Sequence, residues 1–212
     1  SDSDAQPLLV RSKLGLYAIC IIGLINNKEK LVEDYLFSNG GHFGAMTNEG
    51  INSTELVAAM INQKDNFADG IAYAQSLIDG SASILILTNE GKIIAARDQL
   101  GRTPVLIGRN DDGYCVSFED FAYKKLEYAD DKELGAGEII ELTADGVTVL
   151  RSAGDKMKIC AFLWSYYGYS TSCYEGVNVE VMRYKNGKIM AQADRENNVA
   201  PEIDDLSGVP ES

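Results

Sequence analysis

Gly80-Ser-Ala-Ser-Ile-Leu-Ile-Leu-Thr-Asn-Glu-Gly-Lys-Ile-Ile-Ala-Ala-Arg-Asp-Gln-Leu-Gly-Arg-Thr-Pro-Val-Leu-Ile-Gly108 is the stretch on which the fold turns. Two apolar runs, Ile84 to Leu87 and Ile93 to Ala96, flank Asn89-Glu90-Gly91. Short β-rich runs around such a turn predict a hairpin. Both runs are continuous rather than alternating, so both faces of the hairpin are expected to be covered. Arg97-Asp98-Gln99-Leu100-Gly101-Arg102-Thr103-Pro104 then forms a loop, with Gly101 permissive and Pro104 fixed in φ, before a further apolar run, Val105 to Ile107. The residues alone imply the centre of a layered α+β domain.

Working outward, Leu16 to Ile22 is a buried strand by composition. Lys28 to Phe37 carries Leu31, Val32, Tyr35 and Leu36 at helical spacing behind a candidate N-cap, Asn27, and Ser38 to Gly41 ends it. Ser53 or Thr54 is a candidate cap for a second helix over 55–62, with Leu56, Val57, Met60 and Ile61 inward. A third helix is expected over 66–78. Short strands follow at 114–117, 139–142 and 147–150, the last two joined at Asp145-Gly146, with a brief helix at 121–126. Past Asp155 the chain becomes aromatic, Ile159 to Tyr167, and Val177, Val181 and Tyr184 align on an expected helix.

The chain has 212 residues, 45% hydrophobic and 24% charged, within the range of an ordinary globular protein of one or two domains. A net charge of −13 argues against nucleic acid and against an anionic membrane surface as partners, since both need a basic face. The four cysteines, Cys20, Cys115, Cys160 and Cys173, form no close metal-type pair and imply a reducing, cytoplasmic setting, with Cys20 and Cys115 expected to be buried thiols. No apolar run reaches membrane-spanning length. The single histidine, His42, lies in a Gly-rich loop, which argues against a histidine-based metal site.

Gly-Ser, a hairpin, then Arg-Asp-x-x-Gly-x-x-Pro resembles the class II glutamine amidotransferases, and within them the amidophosphoribosyltransferase family. Other segments follow in the family's order. Gln6-Pro7-Leu8-Leu9 with Arg11-Ser12 is similar to the segment after the family's Arg-Tyr-Ser/Ala-Thr, Glu119 to Ala122 to its Ser-Glu-Ser-Cys-Ala, and Gly137-Glu138 to its Pro-Gly-Glu. Cys160 to Val179 is similar to its Cys-x-x-Glu-Tyr-x-Tyr-Phe-x-Arg-Pro-Asp-Ser segment, and Gly208 to Ser212 to its Val-Pro-Asp-Ser-Gly loop. No single motif is specific; their succession is.

The resemblance implies a partial αββα sandwich of the N-terminal nucleophile hydrolase type over 1–157, lacking its N-terminal part. It implies the start of an α/β phosphoribosyltransferase domain over 158–212. It implies an enzyme of purine biosynthesis that moves nitrogen from glutamine, or from ammonia, to phosphoribosyl pyrophosphate, giving phosphoribosylamine. The family's nucleophile is an N-terminal cysteine whose own amine is the base. Residue 1 here is Ser1 and the opening strand looks absent, so the chain is expected to be an internal fragment, inactive by itself.

Where the family carries His-Asn-Gly-Asn, this chain has Ile21-Ile22-Gly23-Leu24. Gly23 keeps the backbone donor of the oxyanion site; Ile22 has no side-chain donor to replace the Asn amide. The acidic residue that grips the glutamine amino group in Ser-Asp-x-Glu falls at Ser53. Tyr169, Ser170 and Thr171 stand where the family has Arg-Pro-Asp. Pro210, Glu211 and Ser212 match the start of the pyrophosphate loop. Cys160 stands where some members place one iron–sulfur ligand, against the plainer reading of a buried structural thiol. No cofactor is expected in this chain itself; the resemblance allows magnesium and an iron–sulfur cluster in a longer protein, which is also expected to be a homo-oligomer. Two other readings stay open. One is a non-catalytic structural or ligand-sensing module, favoured by Ile22 and Ser53. The other is an amidotransferase with another acceptor domain, as in glucosamine-phosphate or asparagine synthesis, which Cys160 to Ser212 argues against.

Overall fold

The computed structural model describes residues 6–40, 42–44, 46–47 and 50–197. The chain divides into two units, Ser1–Cys160 and Ala161–Ser212; the sequence places the junction at 157/158.

In the first unit β1 (Leu8–Ser12) and β2 (Gly15–Ile25) form a hairpin, followed by α1 (Lys28–Asn39), the short pair β3 (Met46–Thr47) and β4 (Gly50–Ile51), then α2 (Ser53–Ile61) and α3 (Phe67–Leu77). The central hairpin is β5 (Gly80–Thr88) and β6 (Ile93–Ala96). After it come β7 (Leu106–Asn110), β8 (Gly113–Ser117), α4 (Asp120–Lys124), β9 (Ala129–Glu133), β10 (Ile139–Thr143) and β11 (Gly146–Arg151). A six-stranded antiparallel sheet has the order β1-β2-β5-β6-β10-β11, and a three-stranded sheet the order β8-β7-β9.

The hairpin at the centre explains the layers. Ile84, Ile86, Ile94 and Ala96 project to one side and pack with Leu56, Met60, Ile61, Ile71 and Ala74 of α2 and α3. Ala95, with Leu85 and Ile93 partly buried beside it, projects to the other side and packs with Ile107, Leu134 and Ile140. Period-two alternation inside continuous apolar runs thus feeds two cores at once. Tyr123 of α4 closes the far side of the three-stranded sheet, its ring lying against Gly108 of β7 and Cys115 of β8, where any Cβ at Gly108 would collide with both. Helices, sheet, sheet, helix is the αββα order expected. The cover is not complete, however: Leu87 is 50% exposed.

Local chemistry sets the helix ends. Asn52, not Ser53 or Thr54, caps α2, its side chain accepting from the Thr54 N–H at 2.7 Å and the Glu55 N–H at 3.3 Å. Asn66 caps α3 through the Asp69 N–H. Asn27 sits at the N-cap position of α1 but makes no side-chain cap. Its amide instead bridges to the Leu77 carbonyl and the Asp79 N–H, tying α1 to the end of α3. Gly40, at φ 61°, ends α1 in the left-handed region. Gly70 lets α3 close on α2: a Cβ there would stand 2.5 Å from the Ile61 carbonyl oxygen.

In the second unit a π-helical turn, Leu163–Tyr167, precedes the small pair β12 (Cys173–Tyr174) and β13 (Val177–Asn178) and the long α5 (Val179–Glu196). Val177 is therefore strand, not helix, while Val181 and Tyr184 lie on α5 as expected and are exposed. Helix α5 also runs into the polar stretch after Ala191. Arg183 holds the unit together, donating to the carbonyls of Trp164, Tyr166 and Gly168 at the end of the π turn. The Trp164 indole donates to the Val177 carbonyl and meets the buried Tyr174 edge-on, with ring centroids 6.0 Å apart. Among the described residues no helix is long and apolar enough to cross a membrane.

Candidate functional site

Ile22 and Gly23 lie near the end of β2, opposite Ser83 and Ala82 of β5. The pairing fixes the direction of each backbone group. Asn26 N–H donates to the Asp79 carbonyl and Asn89 N–H to the Leu16 carbonyl. In an antiparallel ladder bonded pairs alternate, so residues 16, 18, 20, 22, 24 and 26 exchange bonds with β5 and residue 23 does not. The Gly23 N–H therefore points away from β5. Among the described residues the pairing of β1 with β2 stops at Leu8 opposite Ile19, and the Gln6 side chain takes the Ile21 N–H at 2.6 Å. Gly23 is exposed beyond that point. Glycine is also required sterically: a Cβ at residue 23 would run into the Ser81 carbonyl.

Ile22 is half-buried and shares with Ser83 the face turned away from the helices. Its side chain adds no donor there. Ser83 is already engaged, donating to the Thr103 carbonyl at 3.1 Å and accepting from the Asp98 N–H at 3.0 Å. Ser53 is the first residue of α2, half-buried, with no carboxylate to offer an ammonium group. Glu55, two residues on, accepts from the Gly44 N–H at 2.8 Å and so fastens the loop that carries the exposed His42. An open cleft lined by Ile25, Asn26, Lys28, Glu29, Gly50 and Ile51 runs between the end of β2 and the approach to α2. None of Ile22, Gly23 and Ser53 lines it.

The Arg97–Pro104 loop proves to be a scaffold of charged groups turned inward. Asp98, 3% exposed, accepts through one carboxylate oxygen from Ala82 N–H and through the other from Leu100 and Arg102 N–H. Its carbonyl accepts from the N–H groups of Gly101 and Gly137. Arg97 is wholly buried, donating to the Leu134 and Gly101 carbonyls and standing 3.5 Å from the Glu133 carboxylate. Glu138 accepts from Gly135 N–H at 2.8 Å and pairs with Lys132, while Arg97 N–H bonds the Glu138 carbonyl. Arg97-Asp98 and Gly137-Glu138, matched separately along the chain, thus interlock in space. A polar cavity of about 140 Å3 beside them is lined by Gln75, Asp79, Asp98 and Arg102. Its polar groups already serve the backbone: Gln75 donates to the Ala82 and Arg97 carbonyls, and Arg102 to the Gly80 carbonyl. The sequence flagged these residues by their pattern; their inward role was visible only in three dimensions.

The remaining predicted positions are scattered. Cys160 is exposed, which overturns the reading of a buried structural thiol. Cys20 and Cys115 are half-buried rather than buried, and burial pushes both thiols up, keeping them protonated. Among the described residues no group of three or more His, Cys, Asp or Glu side chains could hold a metal ion. The described residues alone cannot hold an iron–sulfur cluster, to which Cys160 could offer one ligand at most. Pro210, Glu211 and Ser212 lie outside the described residues.

The chain is similar to known proteins along nearly all of its length. A family model described as "Glutamine amidotransferase domain" matches residues 1–122. Amidophosphoribosyltransferase of Bacillus subtilis (strain 168) is 30% identical over 213 residues, which cover 99% of this chain and 42% of that protein. The enzyme of the same name from Archaeoglobus fulgidus is 28% identical over 215 residues, covering 99% of this chain and 44% of its own. Among solved structures, glutamine phosphoribosylpyrophosphate amidotransferase from B. subtilis, complexed with ADP and GMP, superposes with a TM-score of 0.77 at 27% identity, covering 89% of this chain and 41% of that one. The chain therefore spans less than half the length of these relatives. By that match over residues 1–122 and by its sandwich fold, the chain belongs to the glutamine amidotransferase domain family.

Proposed function

We propose that the protein carrying this chain is an amidophosphoribosyltransferase of purine biosynthesis, acting in the cytoplasm on phosphoribosyl pyrophosphate, and that its glutaminase half has lapsed. The nitrogen then comes from ammonia rather than from bound glutamine. The single observation that carries the second clause is Ile22 beside Gly23 at the exposed end of β2. A tetrahedral intermediate needs donors aimed at its oxyanion, and loss of one donor costs about 10² to 10³ in rate, or roughly 3–4 kcal/mol. Gly23 retains a backbone donor turned away from the ladder, while Ile22 presents only hydrocarbon. Ser53 removes the carboxylate that would fix the substrate's ammonium group, so ground-state binding is weakened as well.

The first clause rests on the 99% coverage of this chain in its relatives and on the interlocking of the matched motifs. Under this reading Ala161–Ser212 begins the phosphoribosyltransferase domain, with Pro210, Glu211 and Ser212 opening the pyrophosphate loop and magnesium accompanying the pyrophosphate of the substrate. A non-catalytic module is the second reading, favoured by the same two positions. The experiment is an assay of phosphoribosyl-pyrophosphate-dependent pyrophosphate release by the full-length protein supplied with ammonium. Release supports the transferase; its absence, with a folded protein, moves the assignment to the module.

A further inference from the structure

The polar cavity beside the Arg97–Pro104 loop keeps bonding groups that the fold itself does not use. It lies where the end of α3 meets the start of β5. Gln75 of α3 lines it and is 5% exposed. The Gln75 amide nitrogen donates to two carbonyls, Ala82 at 3.0 Å and Arg97 at 2.9 Å. Both partners are acceptors, which fixes the nitrogen in place and leaves Oε1 as an acceptor without a partner among the described residues. An acceptor on a side chain buried this deeply calls for a donor, and the cavity is the space beside it. Asp98 makes no such demand, because its carboxylate already takes the N–H groups of Ala82, Leu100 and Arg102. The half-buried Arg102 side chain donates through Nη1 to the Gly80 carbonyl. Its other guanidinium N–H groups have no partner among the described residues. The exposed Asp79 carboxylate, at the rim of the same cavity, has none there either, and Asp79 and Arg102 form no ion pair with each other.

We propose that this cavity binds a short α-amino acid as its zwitterion. The ammonium group donates to Gln75 Oε1 and to the Asp79 carboxylate, and the ligand carboxylate accepts from the uncommitted Arg102 N–H groups. Hydrogen bonds between such charged partners are the strong ones. A bare cation would face the Arg102 charge and leave its N–H groups unused. A bare anion would face Asp79 and leave Gln75 Oε1 without a donor. A ligand carrying both signs satisfies all three groups. At about 30 Å3 per water in the liquid, a volume of about 140 Å3 suits a ligand of roughly five non-hydrogen atoms. A few convergent polar groups around a small concave space are the usual make-up of such a site. None of Ile22, Gly23 and Ser53 lines it, so it is separate from the glutamine-pocket positions. The inference stands on the cavity and does not depend on the proposed activity.

The test is a saturation-transfer NMR titration of the full-length protein with glycine, repeated with acetate and with methylammonium, which each carry one half of the zwitterion. The expected result is saturable glycine binding, with either half at least tenfold weaker. Asp79→Asn and Arg102→Gln are each expected to weaken glycine binding about tenfold or more, the scale of one lost charge-assisted hydrogen bond. Ile22→Asn together with Ser53→Asp is expected to leave it unchanged. Absence of saturable glycine binding to the folded protein overturns the inference, as does binding that neither cavity variant weakens. Acetate or methylammonium binding as tightly as glycine makes the cavity an ion site and overturns it too. A response to the Ile22 and Ser53 changes, without one to the cavity variants, puts glycine in the glutamine pocket and likewise overturns it. Should Arg102→Gln fail to fold, Asp79→Asn decides alone, since Asp79 is exposed and its side chain supports no bond among the described residues.

Discussion

Gly23 is a position where the backbone alone demands glycine. The Ser81 carbonyl occupies the space a Cβ would need, so glycine is required there whether or not an oxyanion is ever bound. Gly23→Ala is expected to destabilise the first unit by about 1–3 kcal/mol, the usual cost of overpacking. Thermal unfolding would read this as a drop of roughly 2–4 °C per kcal/mol. The survival of Gly23 is thus no evidence for glutaminase chemistry, and the weight falls on Ile22. Arg97 carries the larger structural load. Arg97→Met is expected to cost about 3–5 kcal/mol, because it strands the Glu133 carboxylate and strips donors from the buried Leu134 and Gly101 carbonyls. Urea denaturation checks this; a loss under 1 kcal/mol would mean that Arg97 is not what organises the loop.

Among the elements, the start of α2 separates cap from site. Asn52→Ala is expected to cost about 1 kcal/mol, and Ser53→Ala less than about 0.5 kcal/mol, because only Asn52 accepts from the helix's first N–H groups. Denaturant midpoints of the two variants test that order. The corner between α4 and β9 gives a pH prediction. Burial alone would raise the Asp130 carboxyl, but hydrogen bonds from Tyr123 and Lys124, with the Lys124 charge, outweigh it and hold Asp130 below its ordinary value. A depressed folded-state pKa adds stability above the unfolded value, near 3.9, that is lost as pH falls through the folded one. Stability is therefore expected to fall below about pH 4, and Asp130→Asn to remove part of that dependence in pH-resolved unfolding curves.

The central hairpin and the amphipathic helices were legible because their apolar runs report burial directly. Asn52 was not, since Asn, Ser and Thr in succession all cap and only the register of the helix chooses between them. Strand β9, Ala-Asp-Asp-Lys-Glu, carries no apolar alternation and exists because β7 offers it an edge. Val181 and Tyr184 lie on the expected helix but are exposed, because helical spacing says that a face exists, not what covers it.

At the scale of the whole molecule, the first unit is an amidotransferase sandwich whose outer sheet stops short of β1 and β2, and the second is a small knot held by Arg183. Arg183→Ala is expected to release the end of the π turn and expose Trp164, seen as a red shift in fluorescence, while the first unit keeps its melting behaviour. At this scale the sequence told more through the order of its motifs than through any one of them, because Arg97-Asp98 and Gly137-Glu138 are joined only by folding. Polarity alone could not single out Ile22 and Ser53, since an isoleucine in a strand and a serine at a helix start are each ordinary.

The most direct measurement is glutamate release from glutamine by the full-length protein, set beside its use of ammonium in the phosphoribosyl-pyrophosphate-dependent reaction. The account predicts ammonium-supported turnover with glutamine-supported turnover about 10² to 10³ lower, partly restored by Ile22→Asn together with Ser53→Asp. Equal turnover with glutamine and ammonium would show that other donors complete the oxyanion site and would contradict the account.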